Sequence, residues 1–327
     1  MSSLIDSHGR EFVYLRLSVT DRCNFRCVYC LPDGYTAAGG AVDPELSVSE
    51  IRRLVTAFAN LGLTKVRLTG GEPTVRRDIV EIAHAVAAVP GIQRVAMTTN
   101  GNRLAELARP LRLAGVSAVN VSVDSLDRET FARVTGTDRL EQVLAGIDES
   151  ARAGFETIKI NSVLLRDVDH DLERFMEWIR TRPISVRFIE LMRTGRNGDY
   201  FEKQHQSGGL VQLALLRSGW NQVPRRIGDG PAVVYTHPDY LGSIGIIAPY
   251  SSDFCSSCNR LRVSSRGALR LCLFGERDAS LREYLQDDHS QEALGERVRS
   301  LVLGKPISHQ LHEGKYGNTW NLAGIGG

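Results

Sequence analysis

The chain of 327 residues carries 40 Lys and Arg against 38 Asp and Glu, a net charge of +2, and 42% of it is hydrophobic. That length and apolar content support a large core and exclude both disorder and a small stapled fold. The balanced charge excludes a general nucleic-acid or membrane-surface binder. No stretch approaches the roughly 18 consecutive apolar residues of a membrane span, and residues 1–11 lack the apolar core of a signal peptide, so a cytoplasmic protein is expected.

In chain order, residues 14–19 read as a first strand, followed by a loop with Cys23, Cys27 and Cys30 and a turn-rich stretch to Pro44. Ser47 and Glu50 have the spacing of a capping box, opening a helix with Ile51, Leu54, Val55, Phe58 and Leu61 on one face and Gly62 at its end. Strands at 65–69, 95–99, 118–123, 157–163 and 185–191 then alternate with helices at 78–89, 104–114, within 127–153 and at 171–180. About six strand-helix units with short connections predict an α/β fold with a parallel sheet and right-handed crossovers. It is expected to curl as a partial TIM-like barrel rather than lie open and doubly wound. After Met192 the rhythm changes. Residues 194–209 are Gly-rich and polar with no repeat, short strands are expected at 232–236 and 243–248, and 261–263 pairs with 268–273 around Arg266-Gly267. Helices are expected at 280–287 and 291–303. The division this implies is a partial barrel over 1–193 and a C-terminal α+β extension over 194–327.

The barrel is preferred because of what the strands carry. Residues i and i+2 share a face, and parallel strands covered on both sides normally read as continuous apolar runs. Here Arg16 and Ser18 share a face, as do Lys65, Arg67 and Thr69. Thr98 and Asn100, then Asn120, Ser122 and Asp124, then Lys159 and Asn161, and finally Arg187 continue the pattern. Six strands could leave a lumen for ligands where a closed eight-stranded barrel would fill it. Arg16, Lys65, Arg67, Lys159 and Arg187 facing such a lumen demand an anion. For any one of them alone, an ion pair with a neighbouring carboxylate is the other reading.

The six cysteines fall into two sets of three, 23/27/30 and 255/258/272. In a reducing compartment that division favours metal chemistry over disulfides. A structural zinc closes with four ligands, and no His or fourth Cys lies beside the first set. Three thiolates on a four-iron cluster would leave one iron open. The second set reads either as a zinc ribbon lacking a ligand or as a second three-thiolate cluster. Beside it, Arg260 and Arg262 share a strand face and could reach phosphate or guanine.

Cys23 to Cys30 after a first strand, with Tyr29 before the third Cys and Thr69-Gly70-Gly71-Glu72-Pro73 after the second strand, resembles the radical S-adenosylmethionine superfamily. Six further features extend the resemblance over essentially the whole chain. They are the runs Tyr14 to Asp21, Thr98 to Gly101, Asn120 to Ser125, Arg187 to Met192 and Phe254 to Arg262, and the Gly326-Gly327 end. Within the superfamily they resemble the GTP 3′,8-cyclase family of molybdenum cofactor biosynthesis.

The resemblance implies that Cys23, Cys27 and Cys30 hold one 4Fe-4S cluster and that Tyr29, Gly71, Ser122 and Met192 contact S-adenosylmethionine. It implies that Cys255, Cys258 and Cys272 hold a second 4Fe-4S cluster, and that Arg16, Arg67, Thr98, Lys159, Arg260 and Arg262 bind GTP. Lys65 and Arg187 join that set on pattern alone. The implied chemistry is radical: cleavage of S-adenosylmethionine gives a 5′-deoxyadenosyl radical that removes H3′ of GTP. Ring closure onto guanine C8 then yields (8S)-3′,8-cyclo-7,8-dihydroguanosine 5′-triphosphate. No single side chain is needed as acid or base before ring closure, and Gly326-Gly327 is implied to reach the active site. The implied partners are an external one-electron donor and a downstream cyclic pyranopterin monophosphate synthase, with dimerisation left open. Two rival readings are a radical enzyme with an auxiliary cluster acting on a peptide, and a non-enzymatic zinc or iron-sulfur module.

Overall fold

The computed structural model describes residues 3–36, 43–168, 172–225 and 230–325. β1 (Tyr14–Ser18) leads through the cysteine loop to α1 (Val48–Asn60). The helix starts where the sequence places its cap: Ser47 Oγ accepts from the Glu50 N–H, and the Glu50 carboxylate accepts from the Ser47 N–H at 2.8 Å. The unit then repeats through β2 (Lys65–Thr69), α2 (Ile79–Ala87), β3 (Arg94–Thr99), α3 (Leu104–Leu113) and β4 (Val116–Ser122). It continues with α4 (Arg128–Thr135), α5 (Leu140–Arg152), β5 (Thr157–Leu164), α6 (Leu172–Arg180) and β6 (Ser185–Glu190). Gly136, at φ 67°, ends α4 in the left-handed conformation that glycine adopts without a Cβ clash. The expected start of the sixth helix, Asp171, lies outside the described residues.

Beyond Met192 the chain forms α7 (Gly198–Gln204), α8 (Gly208–Arg217), β7 (Asn221–Val223), β8 (Val233–Thr236), β9 (Ser243–Ile247), β10 (Arg260–Val263), β11 (Ala268–Arg270), β12 (Ala279–Ser280) and α9 (Gln291–Leu303). Two expectations need correction. Residues 194–209 contain all of α7 and the start of α8. Neither shows in the sequence, because α7 buries no residue and α8 leaves Leu210, Leu213 and Leu216 exposed, which blurs any apolar stripe. The helix expected at 280–287 is only a 3₁₀ turn, Arg282–Leu285, since Ala279 and Ser280 are taken up by pairing with β11.

All strands belong to one open sheet, in the order β12-β11-β10-β1-β2-β3-β4-β5-β6-β9-β8-β7. Pairing is parallel from β10 to β9 and antiparallel at both ends. No pairing joins β12 to β7, so the barrel is incomplete, and strands of the C-terminal extension flank the first six on both sides. The outer face is covered by helices: Leu15, Leu17, Val66 and Leu68 pack in one fully buried core with Leu54 and Phe58 of α1. Each such side chain contributes about 2 kcal/mol of burial. The other face carries the polar residues. Among the described residues no helix is long and apolar enough to cross a membrane.

Candidate active site

Parallel register sets the polar face in rows. Tyr14 of β1 lies between Lys65 of β2 and Arg260 of β10, and one step along, Arg16 lies between Arg67 and Arg262. Across the concavity, Asn120 pairs with Lys159 and Asn161 with Arg187. These rows line one cavity together with Cys255, Cys258 and Cys272. Eight Arg and Lys side chains face it, and among the described residues no Asp or Glu does. Three arginines abreast on adjacent strands repel one another, and burial strips them of water, so the arrangement favours an anion in the cavity.

The electrostatics follow. Burial, then the charges of Arg187, Arg67 and Lys65, pull Lys159 down to about 7. Burial alone would raise the Tyr14 phenol, but Arg67, Arg16 and Lys65 outweigh it and draw it down to about 7; its hydroxyl accepts from Arg67 Nε. Burial likewise lowers Arg16 to about 9.

The first triad occupies the loop after β1. Cys27 carbonyl accepts from the Cys30 and Leu31 N–H groups, and Arg26 and Val28 donate to the carbonyls of Thr135 and Val134 at the end of α4. Gly70-Gly71 after β2 lies directly against this loop: Gly71 N–H donates to Thr20 carbonyl at 2.9 Å and Glu72 N–H to Arg22 carbonyl at 2.8 Å. A Cβ on Gly71 would sit 2.3 Å from Arg22 oxygen, so only glycine permits the approach. The buried Glu72 carboxylate accepts from Thr74 N–H at 3.0 Å, Thr99 hydroxyl at 2.7 Å and Asn100 N–H at 2.6 Å, tying β2 to β3. Asn100 in turn donates to Asn24 in the cysteine loop at 2.8 Å.

Cys23, Cys27 and Cys30 line a second cavity with Tyr29, Gly71, Ser122 and Met192, the set that the resemblance gave to S-adenosylmethionine. Tyr29 hydroxyl donates to Asp124 at 2.9 Å, and burial pushes that carboxyl up to about 6. Thr98, assigned above to GTP, lines this cavity rather than the cation-lined one and is joined to the latter through Arg67 at 3.1 Å. Asn161, Ile189 and Met192 line both cavities.

The two triads differ in their surroundings. Burial pushes Cys23 up to about 11 and Cys30 up to about 12, and burial with the Asp124 charge raises Cys27. At the second triad burial also raises Cys255, but for Cys258 the charges of Arg260 and Lys305 overcome burial and draw the thiol down to about 7. All six thiols are free. Among the described residues no three His, Cys, Asp or Glu side chains gather closely enough for one metal ion. Each triad offers three thiols on the wall of one cavity, the ligand type that iron-sulfur clusters take.

Tyr14, Lys305 and His309 also line the cation-lined cavity, and Leu322 and Ala323 line the other, their backbone N–H groups acting on Cys30. Sequence reasoning did not single these out for the site. Tyr14 sits at the start of a strand, and the others fall in irregular segments without periodicity. Gly326 and Gly327 lie outside the described residues.

Two family models match the chain, Radical SAM superfamily over residues 17–179 and Molybdenum Cofactor Synthesis C over 184–311. A solved Streptococcus suis SuiB bound to S-adenosylmethionine shares the fold at a TM-score of 0.61 and 13% identity, covering 93% of this chain and 74% of that one. The chain is thus a radical S-adenosylmethionine enzyme, with S-adenosylmethionine and 4Fe-4S clusters as its cofactors. The GTP 3′,8-cyclase of Cronobacter sakazakii is 55% identical over 100% of this chain and 99% of its own length, and that of Vibrio cholerae 53% over 98% and 97%. The chain belongs to the GTP 3′,8-cyclase family, and with it to molybdenum cofactor biosynthesis.

Proposed function

We propose that the chain cyclises GTP to (8S)-3′,8-cyclo-7,8-dihydroguanosine 5′-triphosphate, with the triphosphate in the cation-lined cavity. The observation that carries this reading is that cavity itself: among the described residues it has eight cations and no carboxylate beside three thiols, and it shares Asn161, Ile189 and Met192 with the cavity of the first triad. Cys23, Cys27 and Cys30 would hold the cluster that, when bound and reduced, supplies the electron for cleaving S-adenosylmethionine. Tyr29, Gly71, Ser122 and Met192 orient that cofactor. Cys255, Cys258 and Cys272 would hold the second cluster against the guanine.

Arg16, Lys65, Arg67, Lys159, Arg187, Arg260 and Arg262 neutralise the triphosphate, and Thr98, held by Arg67, links the two ends. Their work is positioning and exclusion of water, which keeps the ribose beside the first cavity. The Gly326-Gly327 end is assigned a contribution to turnover, a reading supported by Leu322 and Ala323, which line the cavity of the first triad. The reading divides the chain functionally into 1–193, with the first triad, and 194–327, with the second. It places the enzyme in the cytoplasm, with an external one-electron donor and a cyclic pyranopterin monophosphate synthase as consumer of the product.

Anaerobic reconstitution followed by dithionite, S-adenosylmethionine and GTP tests it. The expected result is 5′-deoxyadenosine formed with GTP present, together with the cyclised nucleotide. A fully loaded sample that yields no cyclised nucleotide would overturn the assignment, and turnover of a peptide in place of GTP would favour the auxiliary-cluster alternative.

A further inference from the structure

Lys305 follows the end of α9 in a Gly304-Lys305-Pro306 turn and is 3% exposed. Its ammonium donates to the carbonyl of Leu271, the residue before Cys272, and stands 5.4 Å over the ring of Phe12. The charged groups acting on it most strongly are Cys258 and Cys272, then Arg262 and Arg10, and among the described residues no carboxylate pairs with it. It lines the same cavity as all three thiols of the second triad. A buried ammonium without a carboxylate is costly unless a fixed anion faces it.

Among the described residues, the groups placed to meet that need are the thiolates of the second triad. Three thiolates outweigh the charge of a four-iron core, so the loaded triad is anionic and reduction makes it more so. Arg260 and Arg262 also act on this triad, but they lie on a strand row open to the nucleotide, whereas Lys305 is fixed from the other direction by a backbone carbonyl and an aromatic ring. The first triad is set differently: the charged groups acting most strongly on Cys27 are Asp124 and its fellow thiols, and the cation that acts on Cys30, Arg196, is itself paired with Asp33.

We propose that the ammonium of Lys305 is the built-in counter-charge of the cluster held by Cys255, Cys258 and Cys272, and holds that cluster's reduction potential up. This rests on the two-cluster reading above. Lys305 acts through the cluster and is a positioning residue, not a catalytic one.

The test is a redox titration followed by electron paramagnetic resonance on the full chain carrying Cys23→Ala, Cys27→Ala and Cys30→Ala, so that only the second cluster reports. Lys305→Met is expected to retain that cluster by iron and sulfide content and to shift its potential to a more negative value, with Lys305→Arg restoring it. The first cluster, read in the Cys255→Ala, Cys258→Ala, Cys272→Ala chain, is expected to keep its potential in Lys305→Met. An unchanged potential in a loaded Lys305→Met sample overturns the proposal, as does weaker GTP binding with no shift in potential. Failure of Lys305→Met to hold the cluster while Lys305→Arg holds it supports the counter-charge. Failure of both, with parental circular dichroism, overturns it in favour of the carbonyl contact. A parent chain that takes up no cluster at the second triad would instead defeat the two-cluster reading beneath it.

Discussion

Lys159 and Tyr14 show at the scale of single residues how the cation-lined cavity is built. Both titrate near 7 in the folded chain, against ordinary values of 10.5 and 10.0. Between about pH 7 and 10 the folded chain therefore binds fewer protons than the unfolded chain, so these groups make stability rise with pH across that window. The contribution is present above their ordinary values and is lost as pH falls through the folded ones. A bound triphosphate reverses the balance by favouring the protonated forms. Calorimetry at pH 8 in buffers of different ionisation enthalpy is expected to show proton uptake on GTP binding, diminished by Lys159→Met combined with Tyr14→Phe. Equal apparent enthalpies in all buffers would contradict it. Arg262→Met, which removes one cation of the row, is expected to weaken GTP binding by about 2 kcal/mol, roughly thirtyfold, in equilibrium titrations.

The elements that matter most are the two loops at the ends of β1 and β2. The close approach of Gly71 to the Arg22 and Asp21 carbonyls leaves no room for a methyl, since its 2.3 and 2.7 Å contacts are to backbone. Gly71→Ala is expected to lower iron content by about one cluster per chain and to abolish S-adenosylmethionine binding, while the second cluster remains. Retention of both would show that the loop contact is not what forms the first site. Ser47 lines neither cavity, and Ser47→Ala, which removes one half of the capping box of α1, is expected to cost about 1 kcal/mol in denaturant unfolding with turnover unchanged.

Much at this scale was legible in the sequence, because strand alternation is local: the polar faces of Arg16, Arg67, Asn120, Lys159 and Arg187 follow from the two-residue period alone. What brings Arg262 beside Arg16 is a parallel pairing between residues about 245 apart, which no local pattern encodes. Lys305 and Leu322 reach the site from irregular segments, and the two helices over 198–217 lack a clean apolar stripe. Those features depend on tertiary packing.

For the whole molecule, the open sheet is the functional device. A closed barrel would fill its interior with side chains. Here β10 and β9 from the extension flank the six earlier strands, carrying the second triad to the far side of the space that begins at the first. Asn161, Ile189 and Met192 line both cavities, so on the proposed function a group bound at one triad would lie next to a nucleotide bound beside the other. The most direct measurement of that arrangement is isotope transfer. Anaerobically reconstituted, reduced protein is supplied with S-adenosylmethionine and GTP deuterated at the ribose 3′ carbon, and the 5′-deoxyadenosine formed is analysed by mass spectrometry. Deuterium in the 5′-deoxyadenosine from the 3′ label, and none from a 2′ or 4′ label, is the expected result. Its absence from a loaded, turning-over sample would contradict the placement of the GTP ribose between the two triads.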